Sequence, residues 1–140
     1  MKVTMVLEGM PQLLSNTQRL RTTLTRQANT SAWNGAQHLY ARTRAVVPYL
    51  TGELYDAAYI ANISPNEKNR VWVVGYDTVA VEHAIIVHET PNRNHPTRDP
   101  SNEPKQDHYL SEPRDAMVAS FPRTVADEMR DAIRSARIRA

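Results

Sequence analysis

The stretch over residues 46–54, VVPYLTGEL, constrains the fold most, because a helical pattern ends in it and a period of two follows it. Pro48 cannot donate a backbone hydrogen bond and excludes helical angles at Val47, so a helix arriving from the N-terminal side must end there. Gly52 permits backbone angles that are closed to other residues. From Leu54 onward the pattern predicts a strand. An ordinary helix-to-strand loop would have the same local chemistry.

A stripe of apolar residues at helical spacing leads up to this joint and predicts a helix over about 11–46. Unbroken, that helix would be roughly 50 Å long, which exceeds the span of a compact domain of this length. We expect it either to protrude, which suggests a partner surface, or to break. Residues 29–31 and Gly35 are the weak points, because short polar side chains compete for backbone hydrogen bonds and glycine costs about 1 kcal/mol relative to alanine. The alternative is a helix that lies across its own sheet.

Two further elements follow from periodicity and turn signals. Residues 55–64 and 70–76 predict a hairpin, connected by 65–69, whose two faces are both apolar. A second helical stripe predicts a final helix over about 111–138, with a kink at Pro122. Residues 1–8 alternate in the manner of a short edge strand.

The remaining segments are less regular. The apolar run 80–89 fits a strand or a buried helical turn equally well, and the proline-rich stretch of about 90–108 predicts a long loop. We therefore predict one α+β domain over 1–140. In it, a long N-terminal helix and a kinked C-terminal helix pack on a small, mainly antiparallel sheet region of about 53–89, with a long loop beside it.

Charge is divided unevenly along the chain. Residues 1–45 carry six basic side chains against one acid, residues 46–115 carry six against eleven, and residues 116–140 carry five against three. Such a division suits head-to-tail contact between copies, although two solvated faces would explain it equally. The candidate contact residues are Arg19, Arg21 and Arg26 on the first helix, and Glu82, Glu89, Glu103 and Asp107 around the long loop.

Composition and spacing exclude most catalytic classes. The chain has no cysteine, and no apolar run approaches the roughly 18 residues of a membrane span, so we expect a cytosolic product. The candidate metal ligands lack the spacing of a metalloprotease site, and the four glycines form no phosphate-binding loop. We therefore expect no enzyme activity, cofactor or metal. The alternative is a His/Glu metal-dependent hydrolase, which would rest on His83, His88, Glu89, His95 and His108.

Nucleic-acid binding is the other alternative. The sequence pI of about 9.1 and the arginine-rich first helix favour a small basic DNA-binding accessory protein. Aromatic residues, however, make up only 6% of the chain, and no stretch resembles a base-reading helix or a stacking platform.

Several residues in order along the chain carry a resemblance to a known family. They comprise the joint, the end of the hairpin, an apolar run that ends in His-Glu, a His-Pro pair in the loop, and an aromatic-Leu pair before the last helix. With their spacing, they resemble the small neck, or tail-completion, proteins that join head to tail in long-tailed bacteriophages. The residues are Pro48, Thr51, Gly52, Leu54, Gly75, Ala84, His88, Glu89, His95, Pro96, Tyr109 and Leu110.

This resemblance implies a structural virion protein without catalysis. It implies a homo-oligomeric ring in the neck, sixfold in preference to twelvefold, between the portal-side connector and the tail tube or its terminator protein. DNA would pass through the ring without sequence-specific binding, no membrane would be involved, and assembly would occur in the host cytoplasm. The chain departs from the family pattern at His83, where an aromatic residue is common, and in a longer, more proline-rich loop.

Overall fold

The computed structural model describes residues 9–48, 52–79, 84 and 108–138. These residues form an α+β fold, in which a long N-terminal helix and a C-terminal helix pack against a two-stranded antiparallel sheet. The predicted strand over 1–8, most of the apolar run 80–89 and the loop 90–107 lie outside the described residues. The elements in chain order are α1 (Met10–Val46), α2 (Glu53–Asp56), β1 (Ala58–Asn62), β2 (Trp72–Tyr76) and α3 (Ser111–Ile138).

The first helix, α1, is continuous over 37 residues, or about 55 Å at 1.5 Å per residue. It begins after Gly9, whose φ is 88°, and ends at Val47, whose ψ of 137° is extended as Pro48 requires. Of the two expected outcomes, a protruding helix or a broken one, the break at residues 29–31 does not occur. Thr30 donates its hydroxyl hydrogen to the carbonyl oxygen of Arg26 at 3.1 Å, and Ser31 Oγ lies 3.0 Å from the carbonyl oxygen of Gln27, so these side chains stay against the helix backbone instead of interrupting it.

Gly35 is a packing position and not a weak point. It is buried, and a Cβ atom built on it would lie 2.5 Å from Cε2 of Phe121 on α3. One turn earlier, Ser31 donates a hydrogen bond to the carboxylate of Glu128, which also accepts one from Gln27 Nε2 at 3.3 Å. The two long helices therefore pack closely along this side of α1, and α3 continues through Pro122.

The joint contains a short helix that the sequence did not predict. Leu54 begins no strand; residues Glu53–Asp56 form the single turn α2, and β1 starts only at Ala58. Gly52 allows this, because its φ of 93° reverses the chain and its carbonyl accepts the first helical hydrogen bond, from Asp56 N at 2.8 Å. Leu54 is thereby turned into the core.

The sheet is the predicted hairpin, with shorter strands. Ala58 pairs with Tyr76 and Asn62 with Trp72, so Trp72, Val74 and Tyr76 share one face. That face meets α1, since Trp72 contacts Trp33 and Tyr76 belongs to the same core cluster as the end of α1. One buried apolar cluster among the described residues consists of Val46, Val47, Leu54, Tyr76, Ala84 and Tyr109.

The opposite face of the hairpin is apolar and partly open. Tyr59 is 42% exposed, Ile63 61% and Val71 43%. Gly75 makes room for the ring of Tyr59, because a Cβ at Gly75 would lie 3.0 to 3.2 Å from it. In the described part of the chain, none of the helices has the length and hydropathy needed to cross a membrane.

Candidate functional site

The clearest candidate site is a cleft between α1 and the segment that connects β1 to β2; we call it the basic groove. It encloses about 1170 Å³. The residues of α1 that line the groove follow one another at intervals of three or four, so their side chains lie on one side of the helix. The lining residues are Gln18, Arg21, Thr22, Thr25, Arg26, Asn29, Thr30 and Trp33 on α1, Asn66, Lys68, Asn69 and Arg70 on the connection, and Trp72 at the start of β2.

The charge of this groove is of one sign. Arg21 and Arg26 come from α1, whereas Lys68 and Arg70 come from the connection. Among the described residues that line it, no carboxylate accompanies these four cations. The remaining polar groups are amides and hydroxyls, which can donate hydrogen bonds to an anion. Converging cations with a concave floor create a positive potential that attracts anionic ligands.

Two tryptophans stand at one end of the groove. The ring centroids of Trp33 and Trp72 are 4.3 Å apart and their planes are inclined by 49°. Both side chains are half-buried, so part of each faces the groove. The indole nitrogen of Trp72 is buried and has no hydrogen-bond partner among the described residues. This pair fixes the hairpin against α1 and adds an aromatic element to the basic lining.

The connecting segment is shaped by its own side chains. The side-chain oxygen of Asn66 accepts hydrogen bonds from the backbone nitrogens of Lys68 and Asn69, at 3.0 and 2.9 Å. Ser64 Oγ accepts one from Val71 N at 2.8 Å, which closes the base of the loop. Asn29 Nδ2 reaches across from α1 to the carbonyl oxygen of Glu67 at 3.5 Å. These bonds hold the second wall of the groove in place.

The three predicted contact arginines do not form one patch. Arg19 and Arg21 are two residues apart on a helix, so their side chains point about 200° apart around the axis. Arg21 lines the basic groove, whereas Arg19 lines a second groove between α1 and α3, and Arg26 lines both. All three are exposed. Their proposed partners Glu82, Glu89, Glu103 and Asp107 lie outside the described residues.

Most described residues of the family-like motif lie in and around the core, whereas Gly75 lies on the open face of the hairpin, against Tyr59. Pro48 is buried at the end of α1, Gly52 starts α2, and Leu54 packs in the core. Tyr109 is buried, donates its hydroxyl hydrogen to the carbonyl of Ala84 at 2.8 Å, and is followed by Leu110, which packs against the same cluster. The motif residues Thr51, His88, Glu89, His95 and Pro96 lie outside the described part of the chain.

Two buried tyrosines in this core have altered proton affinity. The rings of Tyr76 and Tyr109 meet edge to face at 4.8 Å. Desolvation by burial raises the pKa of Tyr76 to about 12, and burial, with a smaller contribution from Tyr76, raises the pKa of Tyr109 above its ordinary value. Their hydroxyls are thus neutral parts of the core at neutral pH.

The hypothesis of a metal-dependent hydrolase stays untested, because most of its candidate ligands lie outside the described residues. Over residues 9–48, 52–79, 84 and 108–138, no group of three or more potential ligand side chains comes together. His83, His88, Glu89 and His95 lie outside those ranges, and only His108 lies within them, in the turn before α3.

The sequence did not predict that α1 and the segment before β2 form one basic groove. Residues 65–69 were predicted only as a connection between strands, although Lys68, Arg70 and Trp72 stand opposite α1 in the fold. The available signal was a basic loop directly before an apolar strand that begins with tryptophan.

A scan of protein-family models, a search of curated proteins and a search of solved structures each found no match to this chain.

Proposed function

We propose that the chain is a structural subunit of the neck of a long-tailed bacteriophage. Copies close into a ring, sixfold in preference to twelvefold, between the portal-side connector and the tail tube. The subunit acts by contact and carries out no chemistry. DNA passes through the centre of the ring.

The observation that carries this proposal is the convergence of the motif residues. Positions as distant in sequence as Leu54, Ala84 and Tyr109 build one end of the fold, where α1 stops, α2 turns and α3 begins. A chance scatter of short motifs would have no reason to include both Gly52, whose φ of 93° only glycine adopts readily, and the buried Tyr109. The motif therefore behaves as a fold signature, which supports the resemblance.

The exposed apolar surface fits an assembly subunit. Met10, Leu13 and Leu14 in the first turns of α1 are 46 to 61% exposed, and the open face of the hairpin adds Tyr59 and Ile63. Clustered apolar side chains of this kind mark protein contacts more often than isolated ones do. In a closed ring each contact is heterologous, so two different surfaces of one chain are required. The start of α1 and the open hairpin face provide two.

Loss of the protein tests the function directly. In the phage that encodes the chain, preventing its synthesis should give filled heads and complete tails that stay separate, and supplying the protein should restore joining. Electron microscopy of the particles scores the outcome. Joined, infectious particles in the absence of the protein would refute the proposal.

A matched pair of variants tests the contact surface. Leu13→Arg places a charge in the exposed apolar start of α1, whereas Gln12→Arg adds the same charge at the neighbouring exposed position. We expect the first to block joining and the second to allow it, with unchanged circular dichroism spectra for both. Equal behaviour of the two variants would exclude the start of α1 as a ring contact.

A further inference from the structure

We propose that the basic groove binds a run of phosphodiesters in a nucleic-acid strand, without reading the base sequence. This proposal depends on the groove and not on ring formation. Strand binding can therefore be absent from a ring subunit, and it can be present in a protein that forms no ring.

The first argument is charge and its arrangement. Arg21 and Arg26 on α1 face Lys68 and Arg70 on the connection, so cations stand on both walls of one open cleft. A single phosphate would need a closed site with converging donors, whereas an open cleft with charges on both walls suits a chain of anions. The side-chain amides of Asn29 and Asn66 keep hydrogens that add uncharged donors for phosphate and sugar oxygens.

The second argument is the aromatic end of the groove, which favours a nucleic acid over an acidic protein segment. Carboxylates would use the cations but would gain little from the half-buried faces of Trp33 and Trp72. Bases stack on such faces regardless of sequence. Combining a basic track with aromatic faces is the usual composition of non-specific strand-binding grooves.

The same tryptophans report on occupancy. The chain has two tryptophans, and both line this groove. A ligand that enters the basic groove must therefore change the intrinsic fluorescence, whereas a ligand bound to another basic surface need not.

The experiment titrates the full chain with three labelled probes of equal charge: a single-stranded oligonucleotide of about 20 nucleotides, a duplex, and polyglutamate. We expect both anisotropy and tryptophan fluorescence to show binding of at least one nucleic acid. The nucleic acid that binds more tightly, single strand or duplex, is the source of the phosphodiesters. With four phosphates neutralised, the single-strand affinity should fall with a log–log salt slope of about −2.8, or about 50-fold between about 50 and 200 mM salt.

Matched variants locate the site. Arg21→Gln with Lys68→Gln removes one cation from each wall, and Arg42→Gln with Arg123→Gln removes two exposed cations that lie outside the groove. The groove variant should lose at least about tenfold in affinity, with a salt slope shallower by about 1.4, while the control variant stays within about threefold.

Four outcomes would overturn the assignment. They are no binding of either nucleic acid at low salt, binding that leaves tryptophan fluorescence unchanged, equal losses in the two double variants, and polyglutamate binding as tight as that of the oligonucleotides. The last outcome would assign the groove to an acidic protein segment instead.

Discussion

Replacing Gly35 by alanine should destabilise this protein, although the same change stabilises most helix interiors. In an unobstructed helix alanine is better than glycine by about 1 kcal/mol. Here the new Cβ would lie 2.5 Å from Cε2 and 2.8 Å from Cζ of Phe121, whereas carbon atoms in contact prefer about 3.5 to 4.0 Å. The ring, or the whole of α3, must therefore move by about 1 Å.

The size of the effect follows from two opposing contributions. Overpacking of this kind costs typically about 1–3 kcal/mol, and the gain in helix propensity offsets about 1 kcal/mol of it. We expect a net loss of about 1 kcal/mol in the free energy of unfolding, which lowers the melting temperature by about 3–5 °C. Urea denaturation followed by circular dichroism measures the change in the free energy of unfolding.

A double-mutant cycle with Phe121→Ala isolates the cause. Without the ring, Gly35→Ala should become stabilising by about 1 kcal/mol, which corresponds to a coupling energy of about 2 kcal/mol. Asn34→Ala, at the adjacent exposed position, should have the same small effect in both backgrounds. If Gly35→Ala stabilises the wild-type chain as much as the Phe121→Ala chain, the close approach of the two helices at this point is wrong.

Three further predictions concern the end of the fold where the motif residues meet. Tyr109→Phe should lower the free energy of unfolding measured by urea denaturation by about 1–2 kcal/mol, because it removes the buried hydrogen bond to the Ala84 carbonyl, whereas Tyr59→Phe on the exposed face should be nearly neutral. Gly52→Ala should cost about 1–2 kcal/mol, because alanine is strained at a φ of 93°; a wild-type melting temperature would refute this reasoning. Stability should be fully retained below about pH 10 and fall as the pH rises towards 12, because the pKa of Tyr76 is about 12 in the folded protein and 10.0 when exposed; Tyr76→Phe should flatten that decline.

Periodicity predicted the elements that depend on local patterns. The helix expected over 11–46 is found at Met10–Val46, the last helix matches 111–138, and the hairpin has the expected pairing. These succeed because spacing of apolar residues and the position of Pro48 act within one element. The outcome at Gly52 is mixed: the need for an unusual backbone angle was predicted, but the helical turn that follows was not.

Long-range packing explains the errors. Gly35 looked like a weak point because its partner, Phe121, belongs to the other long helix, and no local rule relates the two. The basic groove was missed for the same reason, since Trp33 and Trp72 become neighbours only when the hairpin docks on α1. The arginine patch was overestimated because Arg19 and Arg21 were grouped by sequence position, although the helix directs them to different sides.

The position of α1 accounts for both its length and its uneven composition. Gly35 and Ser31 face α3, whereas Trp33, about 200° away around the axis, faces the hairpin, so α1 lies between the two as a central layer. A helix that packs against partners on two opposite sides has room for only a narrow apolar stripe on each side. The small residues and threonines along α1 agree with this. Its remaining surface is available for charge. The exposed apolar start of α1 and the arginines that line the basic groove are separate parts of this surface, so the proposed ring contact and the proposed strand binding can be tested independently.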